Sequence, residues 1–241
     1  MTIYWAWAVA ALVMLLVAGY LGATVRGSVL GVLIDTRGRF SLSHFQMVLW
    51  TLVVLSLIAG VAVGRLLAGL PDALAFSIPT TLLAVMGISI ASTAGAIVVK
   101  SAKDAQAPER VAASDASDRP RFSQIFLIEE GEFADKVIDI AKFQNFWFTM
   151  ILAAAYVYFA ASRIGALGTG ITALPDFNDT FVLLLGISHA GYLAGKMPAR
   201  QGKPEGLTLA AKLAGAKPVA TRAVPEGAPM EYVPRNPARQ R

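Results

Sequence analysis

The chain has 241 residues, of which 56% are hydrophobic, and its mean hydropathy is +0.58. Soluble globular domains of this length are less apolar, so the composition indicates an integral membrane protein. There is no cysteine, which excludes a disulfide framework, a thiolate metal site and a cysteine nucleophile. The net charge is +5, and the distribution of the basic residues carries more information than their sum.

The first predicted element is a transmembrane helix within residues 1–25. Residues 4–25 carry no charge and are long enough to cross about 30 Å of hydrocarbon at about 1.5 Å per residue. Tyr4, Trp5 and Trp7 are placed to act as interfacial anchors. A cleaved signal peptide is the alternative. The apolar run is long for that role and no Lys or Arg precedes it, which favours a retained helix.

Two helical hairpins are predicted next, separated by polar segments. A polar connector at 26–44 leads to the first hairpin, 45–100, with spans at about 45–64 and 78–99. A loop at 101–142 begins with a flexible composition and becomes partly ordered before the second hairpin, 143–196. The last span, about 180–195, is the weakest because its uncharged run is the shortest. Residues 197–241 are predicted to form a disordered basic tail.

The two hairpins resemble each other, which predicts an internal duplication; the alternative is that apolar helices resemble each other by composition alone. Both turns contain Leu-Pro-Asp, and both second helices contain Gly-Ile-Ser. We therefore expect an all-α fold of five transmembrane helices, with one leading helix and two tandem hairpins forming a four-helix bundle. At an offset of 98 the identical pairs are Phe45 and Phe143, Gln46 and Gln144, Thr51 and Thr149, Ala62 and Ala160, and Arg65 and Arg163.

The basic residues predict the topology. The segments 26–44, 100–142 and 196–241 hold 19 of the 21 Lys and Arg residues, and the others are Arg65 and Arg163. With five spans these three segments share one side, which the positive-inside rule makes cytoplasmic. We expect the amino terminus outside, the carboxyl terminus inside, and a bacterial cytoplasmic membrane as the location. The hairpins then point the same way, which predicts a parallel repeat about an axis along the membrane normal.

Small residues recur at helical spacing within the predicted spans. Such residues let helix backbones approach closely in lipid, so their predicted role is helix packing, within the chain or in a homo-oligomer or larger membrane complex. A pore or substrate groove along the same stripes is the alternative. The residues concerned are Gly60, Gly64, Gly87, Ala91, Gly95, Gly186, Ala190, Gly191 and Gly195.

Few polar residues lie within the spans, and His189 is the one ionisable group well inside them. A hydrogen-bonded neutral packing role and a proton-active role both stay open for it. Gln46, Gln144, Ser89 and Ser188 are predicted to make hydrogen bonds within the membrane. Four charges are predicted to lie at the membrane interface, namely Arg65, Arg163, Lys100 and Lys196.

No catalytic motif, metal site or cofactor site is evident, so we expect a protein that is not an enzyme. The favoured function is a membrane scaffold or anchor that presents the 100–142 loop and the basic tail to a cytoplasmic protein or to anionic lipid headgroups. The alternative is a channel or transporter subunit that forms a path only as an oligomer, with His189 as its proton site. Nucleic acid is an improbable partner, since the tail has a single aromatic residue, Tyr232. Glu129, Glu130, Glu132 and Asp135 are the predicted docking residues for a basic partner.

Overall fold

The computed structural model describes residues 2–106, 120–131 and 133–197. Within these ranges the chain is helical, and its only β-type pairings are isolated bridges. Four helices are long and apolar enough to cross a membrane, as expected of a helical membrane protein, and α5 is not one of these four. The helices are α1 (Thr2–Arg26), α2 (Leu42–Leu67), α3 (Thr80–Gln106), α4 (Ile140–Leu167) and α5 (Asp179–Lys196).

Two helix boundaries differ from the sequence expectation, and side chains explain both. Helix α3 continues beyond Lys100, where the first hairpin was expected to end, because its last turn carries Lys103 and Asp104, which form ion pairs described below. Helix α4 begins before residue 143 because the Asp139 side chain accepts hydrogen bonds from the backbone N–H groups of Ala141 and Lys142. These bonds satisfy helix donors that would otherwise lack a partner.

The four hairpin helices form a ring in the order α2, α3, α5, α4. Each helix of the first hairpin therefore lies beside its counterpart in the second, α2 beside α4 and α3 beside α5. A twofold rotation about the central axis of the bundle would instead place α2 beside α5. The parallel repeat about an axis along the membrane normal stays a prediction. The two hairpins are side by side, and the internal duplication itself stays a prediction.

Helix α1 lies outside the ring and packs mainly against α2. Gly60 and Gly64 provide the close approach: a Cβ added to Gly60 would lie 2.6 Å from the Cα of Trp7, and one added to Gly64 would lie 2.5 Å from Cγ1 of Ile3. The Trp7 indole N–H also donates to the Ser56 hydroxyl at 3.0 Å. Helix α1 therefore packs against the Gly-x-x-x-Gly pair of α2.

The buried positions of α2 and α4 match at a different sequence offset from the one that aligns their identical residues. Each of the buried residues of α4 has a buried counterpart 99 positions earlier in α2, such as Asn145 with Gln46 and Tyr156 with Leu57. At the offset of 98 the environments differ: Gln46 and Arg65 are buried, whereas Gln144 and Arg163 are exposed. One residue rotates a helix position by about 100°, so identical residues in the two copies face in different directions.

The bundle has two different ends. At the end named here the turn end, the chain passes from α2 to α3 and from α4 to α5. At the other end, the cap end, two loops of similar plan precede α2 and α4. Each begins with a 3₁₀ helix, Gly31–Leu33 or Phe122–Phe126, and continues as a hairpin closed by one antiparallel bridge, Ile34 with Phe40 or Leu127 with Ile138. We name them the first cap loop (31–41) and the second cap loop (122–139).

Candidate functional site

The two cap loops carry opposite charges and bind each other. Arg37 Nη1 donates to Glu130 Oε1 at 2.9 Å, and the Arg39 guanidinium makes two bonds to the Asp135 carboxylate, at 2.5 and 2.6 Å. Both arginines are buried. Bidentate, shielded pairs of this kind are among the stronger ion pairs in proteins, and removing one partner leaves the other charge uncompensated.

Glu129 is the centre of the cap. Its carboxylate lies 2.6 Å from Lys142 Nζ, 2.9 Å from Lys196 Nζ and 2.9 Å from Lys100 Nζ. These lysines belong to α4, α5 and α3, so one side chain connects three of the four helices of the ring. Lys100 also bonds to Asp35 of the first cap loop at 2.5 Å.

The surroundings of Glu129 also determine its ionisation. Burial alone would raise the pKa of this carboxyl, but the ammonium groups of Lys142, Lys196 and Lys100 outweigh burial and hold the pKa well below its ordinary value of 4.5. The pKa of Glu130 is lowered in the same way, against the effect of burial, by Lys103 and Arg37. Both groups are therefore charged carboxylates at neutral pH.

These contacts account for most of the charged residues singled out in the sequence. Glu129, Glu130 and Asp135 bind basic side chains of this chain, and Glu132 lies outside the described residues. Docking of a basic partner on them stays a prediction, but a partner would have to displace these internal bonds. Lys100 and Lys196 were expected at the membrane interface, and both belong to the cap. Sequence reasoning missed the basic half of the cap, namely Arg37, Arg39 and Lys142.

Directly beneath the cap lies a layer of hydroxyl groups. The hydroxyls of Ser43 and Tyr192 are 3.0 Å apart, and Thr93 Oγ1 donates to the Ser43 carbonyl at 3.1 Å. The Lys196 ammonium group stands 4.8 Å from the centre of the Tyr192 ring, which links this layer to the cap. Three helices of the ring, α2, α3 and α5, contribute to it.

A second polar layer lies one helical turn deeper. Gln46 Nε2 donates to Thr149 Oγ1 at 2.7 Å, and Ser188 Oγ donates to Asn145 Oδ1 at 3.2 Å. Ser89 and His189 are buried on α3 and α5. The predicted intramembrane residues Gln46, Ser89, Ser188 and His189 therefore belong to one region, whereas Gln144 is exposed on the outer face of α4.

The polar interior stops at this depth. Toward the turn end the interior is a continuous apolar core, which includes the fully buried Val54, Leu57, Leu82, Val85 and Leu185. A path across the bundle would need polar groups along its whole length. The interior of a single bundle is thus polar toward the cap end and mainly apolar toward the turn end.

At the turn end, Arg65 and Arg163 have different environments. Arg65 is buried and donates to four backbone carbonyls of the two turns, those of Asp72, Ala73, Thr169 and Ile171. Arg65 thus holds the two turns together, and burial keeps it from lipid headgroups. Arg163 is exposed and lines an open groove of about 720 Å³. Arg65 also lies 3.6 Å from the Asp72 carboxylate. The two arginines are not equivalent in burial, and their location at the membrane interface stays a prediction.

The other small residues lie in looser surroundings than Gly60 and Gly64. A Cβ on Gly95 would be 3.3 Å from Leu193, and one on Gly186 would be 3.7 Å from Ile88. Nothing lies within 4 Å of the corresponding point at the remaining glycines, and Ala91 and Ala190 are exposed. The positions that stay open toward the outside of the ring are Gly87, Ala91, Ala190, Gly191 and Gly195.

Among the described residues, no group of three or more His, Asp or Glu side chains is arranged to hold a metal ion. Comparison with protein-family models, with curated proteins and with solved structures gives no match. The cap and the polar interior beneath it are therefore the features of this chain that bear on its function.

Proposed function

We propose that this protein is a non-enzymatic membrane scaffold that holds a folded, charged cap and a basic tail at the cytoplasmic surface. One observation carries the proposal. The ionisable groups that the helices bring together are used to close the cap, and the interior beneath the cap ends in an apolar core. This arrangement favours a rigid platform over a route for solutes.

We propose five spans, with the cap end in the cytoplasm. Helix α5 supports this because it runs between the same two ends as α3: Lys196 at its carboxyl end reaches the cap, and Asp176, just before it, hydrogen-bonds to Thr81 at the start of α3. Its 18 residues extend about 27 Å, close to the thickness of the hydrocarbon layer. The charge distribution supports an orientation with the amino terminus outside and the carboxyl terminus inside, and the proposed location is a bacterial cytoplasmic membrane.

The structure changes the expected docking surface. Because Glu129, Glu130 and Asp135 are engaged within the cap, a partner would contact the outside of the assembled cap. Large apolar side chains are exposed there, including Phe133 at 57%, Ile138 at 55% and Ile140 at 71%. Apolar groups of this size are typical of the centre of a protein interface. The tail is proposed to contribute affinity for anionic lipid headgroups, and the open small residues a contact between copies.

The experiment compares co-purification from native membranes for three variants expressed at equal levels. Phe133→Glu and removal of residues 198–241 should each lose a bound protein that the wild type retains. His189→Asn should retain it. The control is Ser101→Glu, because Ser101 is an exposed residue of α3 near the cap. This variant should also retain the bound protein. Equal recovery in all variants would contradict the scaffold proposal.

The alternative is a channel or transporter subunit that forms a path only as an oligomer. The observation that favours it is His189, a buried ionisable side chain within the polar layer. Proton and potassium flux into liposomes that contain the purified protein separates the two functions. Flux at the level of empty liposomes is expected for a scaffold, whereas flux that His189→Asn abolishes would establish the alternative.

A further inference from the structure

The second polar layer contains several buried atoms whose hydrogen-bonding needs are not met by protein groups. Among the described residues, these include Gln46 Oε1, Asn145 Nδ2, Ser89 Oγ and both ring nitrogens of His189. The Ser92 hydroxyl, nearer the cap, and the Trp50 indole N–H, one turn nearer the turn end, also lack a protein partner. All these side chains are at most 2% exposed, so bulk water does not reach them. A buried polar group without a partner loses its hydrogen bond to water, and native proteins seldom leave such groups unpaired.

Helix geometry places Gln46, His189, Ser89 and Asn145 at similar depth, with Trp50 one turn deeper. The contact between the Ser43 and Tyr192 hydroxyls places these two residues of α2 and α5 at the same depth. Gln46 and His189 each lie three residues from this contact, on the side toward the turn end. Three residues correspond to about 4.5 Å along a helix, so both side chains lie one turn below the same contact. Thr93 is aligned with Ser43 by its hydrogen bond, and Ser89 lies one turn from Thr93 in the same direction. Asn145 accepts at its carbonyl from Gln46 and at its side chain from Ser188.

The chemistry of the unpaired atoms defines what can satisfy them. The Trp50 indole and the Asn145 amide nitrogen only donate, and Gln46 Oε1 only accepts, whereas serine hydroxyls and a neutral imidazole do both. A cation would meet two N–H donors, and no carboxylate belongs to this layer among the described residues. An anion would meet the Gln46 carbonyl oxygen. A small molecule that donates and accepts is required, and water is the smallest such molecule.

We propose that this layer is an internal water-binding site, bounded by Gln46, Trp50, Ser89, Asn145 and His189, in which a few ordered waters bridge the four helices. The apolar core closes the site toward the turn end, so its waters exchange through the cap end. The lysines that converge on Glu129 stand across that route. The inference is independent of the scaffold function, because a scaffold or a transport subunit could contain such a site.

X-ray hydroxyl-radical footprinting of the full-length protein in nanodiscs tests the site. Radicals formed from bound water modify adjacent buried side chains, and mass spectrometry measures the rate at each residue. We expect His189 and Trp50 to be modified about tenfold faster, after normalisation to the same residues in the unfolded chain, than a buried residue without water. Leu185 is the matched control, because it is fully buried one turn from His189 on the same helix. Equal normalised rates for His189, Trp50 and Leu185 would show a dry interior and overturn the proposal.

Two variants extend the test. His189→Leu removes two of the unpaired atoms, and we expect a reduced rate at Trp50 in a protein that remains folded by size-exclusion chromatography. If His189→Leu does not fold, the wild-type comparison with Leu185 still decides. Glu129→Gln weakens the closure of the cap, and we expect ¹⁸O-labelled water to enter the layer faster. An unchanged exchange rate in folded Glu129→Gln protein would overturn the assignment of the cap end as the route.

Discussion

The two halves of the bundle interior are built from different interactions. The cap half contains ion pairs, hydroxyl contacts and amide hydrogen bonds, whereas the turn half is closely packed aliphatic and aromatic side chains. Apolar packing is not directional, so it stabilises the bundle without determining which loop meets which helix. The ion pairs of the cap have specific partners from both loops and three helices. The turn half therefore stabilises the bundle, and the cap half determines how the two hairpins are aligned.

The largest expected effect is the loss of the central carboxylate of the cap. Glu129→Ala leaves three lysine ammonium groups close together with Asp35, the partner of Lys100, as counter-charge, and we expect a loss of about 3–5 kcal/mol in the free energy of unfolding. Thermal unfolding in detergent, followed by the loss of the monodisperse species, measures it. The control is Arg163→Ala, because Arg163 is exposed, and we expect a change within about 0.5 kcal/mol. Equal effects of the two substitutions would contradict the central role of Glu129.

A cavity in the turn half should destabilise the bundle without disturbing the cap. Leu57 is fully buried in the apolar core, and Leu57→Ala should lower the free energy of unfolding by about 3 kcal/mol. Leu55→Ala is the matched control, because Leu55 is 42% exposed on the same helix. Hydrogen exchange at the amides of the second cap loop should remain at the wild-type rate in Leu57→Ala. Faster exchange there would show that the two halves are coupled and would remove the distinction between them.

An exchange of charges tests whether the two cap loops recognise each other. Arg39→Asp places a negative charge beside Asp135, and we expect a loss of about 2–3 kcal/mol. The double variant with Asp135→Arg restores an opposite pair, and we expect it to recover at least about 1 kcal/mol, as a double-mutant cycle would show. Additive effects of the two substitutions would mean that the Arg39–Asp135 contact does not join the loops.

Acid should weaken the cap half before the turn half. The pKa values of Glu129 and Glu130 are lowered in the folded protein, so their contribution to stability is complete above the pKa of the unfolded chain, about 4.3, and decreases as the pH falls toward the folded values. We expect stability to decline below about pH 4, and the contribution of these two carboxylates to be constant between about pH 5.5 and pH 8. Glu129→Gln should show a smaller decline. A stability that increases on acidification would reverse the sign and refute this account.

The smallest expected effect separates two residues that the sequence pairs. Gln46 is buried and hydrogen-bonded to Thr149, so Gln46→Ala should lower the free energy of unfolding by about 1 kcal/mol. Gln144→Ala should have no measurable effect, because Gln144 is exposed on α4. Chemical denaturation of both variants measures the difference. Equal losses would support the equivalence that the identities at an offset of 98 suggest.

The sequence predicted the helices better than their rotation about their own axes. Long apolar runs located the four helices that are long and apolar enough to cross a membrane, because hydrophobic length is sufficient to identify such a helix. In hydrocarbon both faces of a helix are apolar, so composition hardly distinguishes the face that turns inward. For this reason Gln46 and Gln144, or Arg65 and Arg163, appeared equivalent although only one of each pair is buried.

The cap could be anticipated only in part. The acidic residues of the second cap loop are evident in the sequence. Their basic partners lie up to 96 residues away along the chain, and no local periodicity links the two sets. The available signal was charge complementarity: the first cap loop contains Arg37 and Arg39, and the corresponding second loop contains Glu129, Glu130 and Asp135. The water-binding layer could not be predicted, because it depends on which faces of four helices meet.

The position of Lys196 has a consequence for biosynthesis. It is the last residue of α5, the last described helix, and it provides the third ammonium group around Glu129. Ribosomes make proteins from the amino terminus, so a nascent chain that stops before α5 has Glu129, Lys100 and Lys142 but an incomplete cluster. The complete set of contacts around Glu129 therefore forms only once α5 has been made. Chains truncated before Lys196 should hold the second cap loop less firmly, which limited proteolysis can measure.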